Sequence, residues 1–440
     1  MKKLLIITYY WPPGGGVTVI RCLKMAKYLR QHGWEPVILT AEGAHYPVLD
    51  PTGEKDVPEG IEVLRVPIWE PYAIYKKFMG KPADENVNNV FYIEQSKADW
   101  KHRLAVWVRS NFFIPDARAS WIRPSVKFLK DYLKDHPVDA ILSSGPPHTN
   151  TRIGTLISQA TGIPLICDYQ DPWTQVDYYQ LLSLTPWGRR RHERMEQEAF
   201  RQATLSLIVS PSWKEDLEEI GADNVKVLPL GYDPDDFDSL VRRPHEKFTL
   251  THLGLLGYDR CPDVLFAALA ELVKEDADFA ADFQLRLYGQ VDYRVKETME
   301  RYELTPWINY AGYVSRGEAI QETLNSHLLL LALNQQDNVK GRVPGKLFEY
   351  MAARRPVLCF GPADSDTVGM LRASESGVNL PYTAHRDDVM AALRSWHADY
   401  RAGRETNLPM DAVLPYTHPT LTGQLVEWLN TVVATKKPTS

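Results

Sequence analysis

Lys346 and Glu349, in the stretch "VPGKLFEYMAARRPVLCF", stand three residues apart just behind a proline that suits the first turn of a helix. On one helical face the carboxylate can accept both hydroxyls of a ribose, and a first-turn lysine can meet a phosphate. A solvated ion pair would use the same spacing. A second stretch, "TYYWPPGGGV" at residues 8–17, sets Gly14, Gly15 and Gly16 before "VTVIRCLKMAKYLRQHG". Val19, Cys22, Leu23, Met25, Ala26 and Leu29 recur there at helical spacing, and Gly33 ends the pattern. The glycines therefore join a strand to a helix N-terminus, where free N–H groups favour an anion. The dinucleotide pattern G-x-G-x-x-G fits Gly14 and Gly16 but meets Val19 at its third position, which weakens a nicotinamide reading. His148 in "SSGPPHTN" can contact a substrate or cap the helix behind it. Asp168 and Asp171 in "DYQDPW" can orient or deprotonate a hydroxyl, or cap a turn.

These side chains need a frame, and strand-like runs alternating with helical patterns supply it. In the first half the runs are Lys3–Thr8, Pro36–Thr40, Ile61–Val66, Asp139–Ser143, Pro164–Asp168, Leu205–Ser210 and Val225–Leu228. A second series comprises Phe248–Leu253, Phe283–Tyr288, Ile308–Ala311, His327–Leu333, Pro356–Phe360 and Gly377–Leu380. The pattern predicts an α/β chain of two doubly wound, Rossmann-like parallel-sheet domains facing a cleft. The expected domains are 1–232 and 248–417, joined by a polar linker at 233–247. A helix at 418–435 is expected to return to the first domain, followed by a frayed "KKPTS" tail. Glycines, the histidine and the carboxylates all fall just after strands, where open α/β sheets bind ligands.

Composition narrows the classes. At 440 residues the chain exceeds what one core serves, and 44% hydrophobic with 24% charged residues is ordinary for a globular protein. A net charge of −6 argues against general nucleic-acid binding. Cys22, Cys167, Cys261 and Cys359 are scattered and read as reduced thiols. The opening "MKKLLIITYYWPP" reads as a strand rather than a leader, and the apolar run Leu328–Leu333 is too short to span a bilayer. The expected location is the cytoplasm, including the inner face of its membrane. Residues 68–120 break the alternation with a mixture of aromatic and basic side chains. Such a mixture can rest on anionic lipid as a peripheral contact, or pack as core with a solvated rim.

The helix "P-x-K-x-x-E-Y-M-A…P-V-L" resembles the nucleotide-sugar-binding helix of family 4 glycosyltransferases, which have the GT-B fold. "YYWPPGGGV" with Arg21, then "GPPHTN", "DYQDPW", "VLPLGYDPDDF" and "LGLLGYDR" resemble that family's successive blocks in the same order. The resemblance implies a retaining, metal-independent hexosyltransferase that moves a sugar from a nucleotide diphosphate-sugar to a saccharide or lipid-linked acceptor, in polysaccharide or glycoconjugate synthesis. It implies no cofactor, metal ligand or nucleic-acid partner. Catalytic roles are implied for His148, Asp171, Arg260 and Lys346. Donor contacts are implied for Gly15, Gly16, Arg260, Tyr313, Lys346 and Glu349, and acceptor contacts for Gly14, Arg21 and Asp168. Gly231, Tyr232, Asp233 and Phe237 would form the hinge. Two positions depart from the family: Gly341 stands where its earlier glutamate would be, and Leu255 where its arginine would be. Competing readings are a nucleotide-sugar epimerase of the same fold, a nicotinamide oxidoreductase and a catalytically silent nucleotide-sugar-binding module. The aspartates at Asp364 and Asp366 are expected to cap a helix rather than bind metal.

Overall fold

The computed structural model describes residues 1–71, 100–176, 179, 182–335, 339–404 and 408–434. The middle of the aromatic–basic stretch (72–99), residues 336–338 and the tail from 435 onward lie outside the described residues. The chain divides into one unit of Met1–Pro229 with Leu421–Ser440 and a second of Leu230–Thr420.

In the first unit seven strands run parallel: β1 (Lys2–Ile7), β2 (Trp34–Glu42), β3 (Glu62–Pro67), β4 (Ala140–Gly145), β5 (Leu165–Tyr169), β6 (Ala203–Ile208) and β7 (Val225–Val227). Their order is β3-β2-β1-β4-β5-β6-β7. Strand β1 lies between β2 and β4, with Leu4 opposite both Pro36 and Ala140. Helices cover both faces of such a sheet, so its central strands are apolar on both sides. All six residues of β4 are buried accordingly. From Leu421 onward the last helix, His418–Ala434, belongs to this unit. Leu421, Leu425 and Leu429 join the core of Leu4, Trp34 and Leu142, and Trp34 Nε1 donates to Asn430 Oδ1 at 3.3 Å.

The second unit repeats the plan with six parallel strands: β8 (Phe248–Leu253), β9 (Phe283–Tyr288), β10 (Ile308–Gly312), β11 (Leu328–Ala332), β12 (Val357–Phe360) and β13 (Gly377–Leu380). Their order is β10-β9-β8-β11-β12-β13. Its core gathers Leu250, Leu285, Leu330 and Leu358 from four strands with Phe266, Leu269 and Phe279 from the helices. In both sheets the order reverses beside the first strand, between β1 and β4 and between β8 and β11. Those are the switch points where loops diverge and leave room for a ligand.

Each strand-like run corresponds to an observed strand, with shifts of up to two residues at the ends. Strand β6, for example, ends at Ile208. Ser210 instead precedes the helix Pro211–Glu219 as its cap residue. The polar stretch expected as a plain linker contains a helical turn, Asp235–Asp238, introduced by an Asp233 side chain that accepts from Asp235 N–H at 3.1 Å. The expected capping by Asp364 and Asp366 is corrected: Ser365 caps the helix Asp366–Ala373, accepting from Val368 N–H. A hydroxyl reaches the open N–H groups with less strain than a carboxylate already inside the first turn.

Candidate functional site

At the switch point of the second unit, the loop after β8 and the helix Lys346–Ala352 come together. Tyr350 and Lys346 of that helix grip the end of β8: the Tyr350 hydroxyl accepts from Leu253 N–H at 3.1 Å, and Lys346 Nζ donates to Leu253 O at 3.0 Å. Lys346 Nζ also reaches His252 Nε2 at 3.4 Å. His252 is fully buried, with its Nδ1 3.1 Å from Leu330 O and its Nε2 also 3.4 Å from Leu255 O. Burial and the Lys346 charge hold this imidazole well below its ordinary pKa, hence neutral. Lys346 is in turn brought down to about 7, first by burial and then by Arg260, against the opposing pull of Glu349. Arg260, in the short turn Tyr258–Arg260, is held on Asp259 at 3.3–3.4 Å. Two cations with one carboxylate partner at a strand end can bind an anion.

The backbone here depends on glycine. Gly254 and Gly289 both have φ +96°, and a Cβ on Gly289 would lie 2.7 Å from Gly254 O. Only glycine lets the loops after β8 and β9 approach so closely.

One turn beyond Lys346, Glu349 accepts from Arg316 at 3.1 Å, and Arg316 also donates to Asp236 at 2.9 Å. Burial disfavours the guanidinium, but the Glu349 and Asp236 carboxylates more than offset it and raise its pKa. Arg316 thus fixes Glu349 in place. It was missed in the sequence, although "SRGE" carried a signal. Ser315 and Glu318 form a reciprocal capping box that starts the helix Arg316–Asn325 and sets Arg316 in its first turn. Tyr313 stands in the loop just before, 79% exposed. Leu255 is exposed as well, and Gly341 is buried.

In the first unit, Arg21 and Asp168 are committed to one another. The guanidinium meets Asp168 at 2.6–3.1 Å through Nε and Nη2, and donates also to Leu228 O and Pro229 O. Ser144 Oγ donates to the same carboxylate at 2.8 Å. Both side chains are almost wholly buried, so the pair ties the ends of β4, β5 and β7 to the first helix. A buried ion pair of this kind spends its hydrogen bonds within the protein.

The glycine loop is also redistributed. Gly14 N–H donates to Trp11 O and Gly15 N–H to Val48 O. A Cβ on Gly15 would lie 2.8 Å from Asp50 Cβ, so these two glycines serve packing against residues 46–50. Gly16 alone is exposed, with φ +97°, and precedes the helix Val17–Leu29 without any side-chain cap. That helix end can receive an anion.

His148 opens the helix His148–Thr161 but caps nothing; Asp116 does, accepting from Thr149 N–H at 2.8 Å and Thr149 Oγ1 at 2.9 Å. The His148 ring stacks on Trp173 at 4.8 Å and 1°. Neither ring nitrogen makes a well-formed hydrogen bond among the described residues. Burial and the nearby His192 push its pKa down to about 3, with the Pro172 carbonyl opposing. It is a neutral imidazole with unspent polar atoms.

Behind it, Trp173 Nε1 donates to His192 Nδ1 at 3.0 Å, and Glu196 accepts from Thr174 N–H and Oγ1 at 3.1 and 2.5 Å. Burial raises Glu196 to about 7. The i,i+4 spacing of His192 and Glu196 on the helix Pro186–Gln202 was the available sign that one helical face secures the "DPWT" loop. Asp171 lies half-buried in that loop.

Residues 14–232 match the family model described as a glycosyl transferase 4-like domain. No curated protein sequence matches the chain. Among solved structures, the sucrose-phosphate synthase of Thermosynechococcus elongatus superposes with a TM-score of 0.63 at 13% identity, covering 99% of this chain and 100% of that one. A glycosyltransferase from Rickettsia africae gives a TM-score of 0.60 at 14% identity, covering 99% of each chain. HepE of Anabaena, solved in complex with UDP-glucose, gives 0.60 at 14% identity over 98% of this chain and 100% of that one. At these identities the likeness is one of fold, two parallel-sheet α/β domains of the GT-B type.

Proposed function

Because the chain belongs, through residues 14–232, to the glycosyl transferase 4-like family, we propose that it is a retaining hexosyltransferase. It takes a sugar from a nucleotide diphosphate-sugar and delivers it to a saccharide or lipid-linked acceptor, in the making of a surface polysaccharide or glycoconjugate. The observation that carries the proposal is the grouping at the β8–β11 switch point. Lys346 and Arg260 stand where a strand end meets a helix start, with Glu349 braced by Arg316 one turn on.

In this reading the two cations hold the donor diphosphate. They neutralise the charge that grows on it as the glycosidic bond breaks, the place where electrostatic stabilisation counts most. Glu349, held in one orientation by Arg316, receives the ribose hydroxyls. Tyr313 borders the base. On the first unit, the exposed helix end after Gly16 offers N–H groups to an anion. The neutral His148, fixed by its stack on Trp173, offers hydrogen bonds to the transferred sugar. Asp171 orients the acceptor hydroxyl. No cofactor or metal enters this scheme, since cationic side chains and helix ends supply the charge. Four buried, unpaired cysteines fit a reducing compartment such as the cytoplasm. No described helix is long and apolar enough to cross a membrane.

The test is thermal unfolding of the whole protein against a panel of nucleotide sugars. At a hundred times its Kd, a donor that binds only the folded form adds about 2.7 kcal/mol of stability. One member should raise the midpoint in wild type and fail to do so in Glu349→Ala. A panel without effect overturns the reading.

A further inference from the structure

His148 is oriented by contact rather than by hydrogen bonds. Neither ring nitrogen makes a well-formed one among the described residues, so nothing polar fixes the plane of the ring. The Trp173 indole lies parallel to that plane, 1° off and 4.8 Å away. On the strand side a Cβ at Gly145 would lie 3.0 Å from His148 Nδ1, so the backbone of β4 crowds the ring edge. An indole gives a flat surface and no charge, and the stack is therefore placed only as well as the indole itself. Trp173 lies in the loop after β5, outside any strand or helix, where the chain is mobile unless tied down.

The tie comes from the helix behind. Trp173 Nε1 donates to His192 Nδ1 at 3.0 Å. An indole nitrogen can only donate, so His192 carries its proton on Nε2 and accepts on Nδ1. Burial brings the His192 pKa down to about 4 against the opposing Asp116 charge, so the acceptor is present at neutral pH. The imidazole is 3% exposed and stands edge-on to both Trp173 and Tyr179, at 85° and 86°. One turn further along the same helix, Glu196 accepts from Thr174 N–H and Oγ1, so two consecutive loop residues are held from one helical face. Asp116 joins the two sides: it caps the helix that His148 opens, and its charge is felt at His192. A leucine at position 192 would serve packing without the cost of burying an imidazole. What the imidazole adds is one acceptor aimed at the indole beneath His148.

We propose that His192 is a positioning residue for His148: through Trp173 it sets the plane in which the His148 ring meets the sugar being transferred. The inference rests on the proposed glycosyl transfer, in which His148 hydrogen-bonds that sugar. It gives a role to a side chain too deeply buried to touch donor or acceptor.

The experiment compares the full chain with His192→Leu and His192→Asn. Leucine fills the space and accepts nothing, whereas asparagine puts Oδ1 where Nδ1 stood. With the nucleotide sugar that raises the unfolding midpoint, His192→Leu should lower kcat at least about tenfold, because a small misplacement of a contacting group is costly. Donor KM should stay within about twofold and the donor-induced rise in midpoint should persist. His192→Asn should recover most of the loss. In a His148→Ala background, His192→Leu should cost less than about twofold, because its effect passes through the ring already removed. Equal losses with and without His148 overturn the proposal, as does a wild-type kcat in His192→Leu or an asparagine variant no better than leucine. If His192→Leu does not fold, Trp173→Phe removes the same N–H, keeps a ring under His148 and is held to the same criteria. Nuclear magnetic resonance decides apart from transfer. The Trp173 indole N–H, recognised as the signal missing from Trp173→Phe, should move in His192→Leu and return in His192→Asn, and the His148 imidazole signals should move with it. If they do so and no nucleotide sugar supports transfer, glycosyl transfer fails and the positioning stands. If the His148 signals stay in place, the positioning fails whatever the activity.

Discussion

Donor affinity should weaken as pH rises through neutrality, and Lys346 should be the cause. Burial, then the Arg260 charge, bring its ammonium down to about 7 in the ligand-free protein, with Glu349 pulling the other way. The His252 ring that faces it is already neutral and does not share the titration. The diphosphate of a nucleotide sugar, esterified at both ends, stays doubly negative across this range. When bound it holds Lys346 protonated, so the contact is complete below the free value and is lost as pH climbs past it. At about pH 6 roughly nine-tenths of Lys346 is charged and at about pH 8 roughly one-tenth, so Kd should rise about tenfold, or about 1.4 kcal/mol. Calorimetry in two buffers of different protonation enthalpy should register uptake of about half a proton at about pH 7. Lys346→Arg keeps the charge throughout and should flatten the profile. A wild-type Kd unchanged over that span, or the same slope in Lys346→Arg, would refute the reasoning.

Glu349→Ala should cost about 1.5–3 kcal/mol of donor binding, the range for hydrogen bonds to a charged group; calorimetric affinity within twofold of wild type excludes the role. Asp168→Asn should destabilise the fold by about 3–5 kcal/mol in urea titration, because it leaves the buried Arg21 without its counter-charge; a wild-type unfolding curve with lost transfer would return Asp168 to the acceptor. His148→Ala should depress transfer with little change in unfolding, while Asp116→Ala should lower stability by about 1 kcal/mol as a lost helix cap; the reverse pattern would exchange their roles. Excess EDTA should leave the initial transfer rate within about twofold, far from the tenfold of 1.36 kcal/mol, and full loss restored by magnesium or manganese contradicts metal independence.

The thirteen strands and both parallel sheets were legible in the sequence because strands covered on both faces read as unbroken apolar runs such as "LLLLA" and "LICDY". Lys346 could be marked as a candidate for an anion because its place in the first turn of a helix is local, whereas Arg260 joined it only through the family resemblance. What charged side chains do with each other was not legible. Arg21 and Asp168 are 147 positions apart, and only the folded sheet brings them into a buried pair that consumes both. Arg316 braces Glu349 from 33 positions away, and Asp116 caps a helix that begins 32 residues later. The same limit hid His252, whose apolar neighbours in "FTLTHL" disguise the one ring that props Lys346. Periodicity reports which face of an element is apolar, so it reveals elements and their order. The partner of a polar group is set by how distant strands register and loops close, and that is decided only when the sheets assemble.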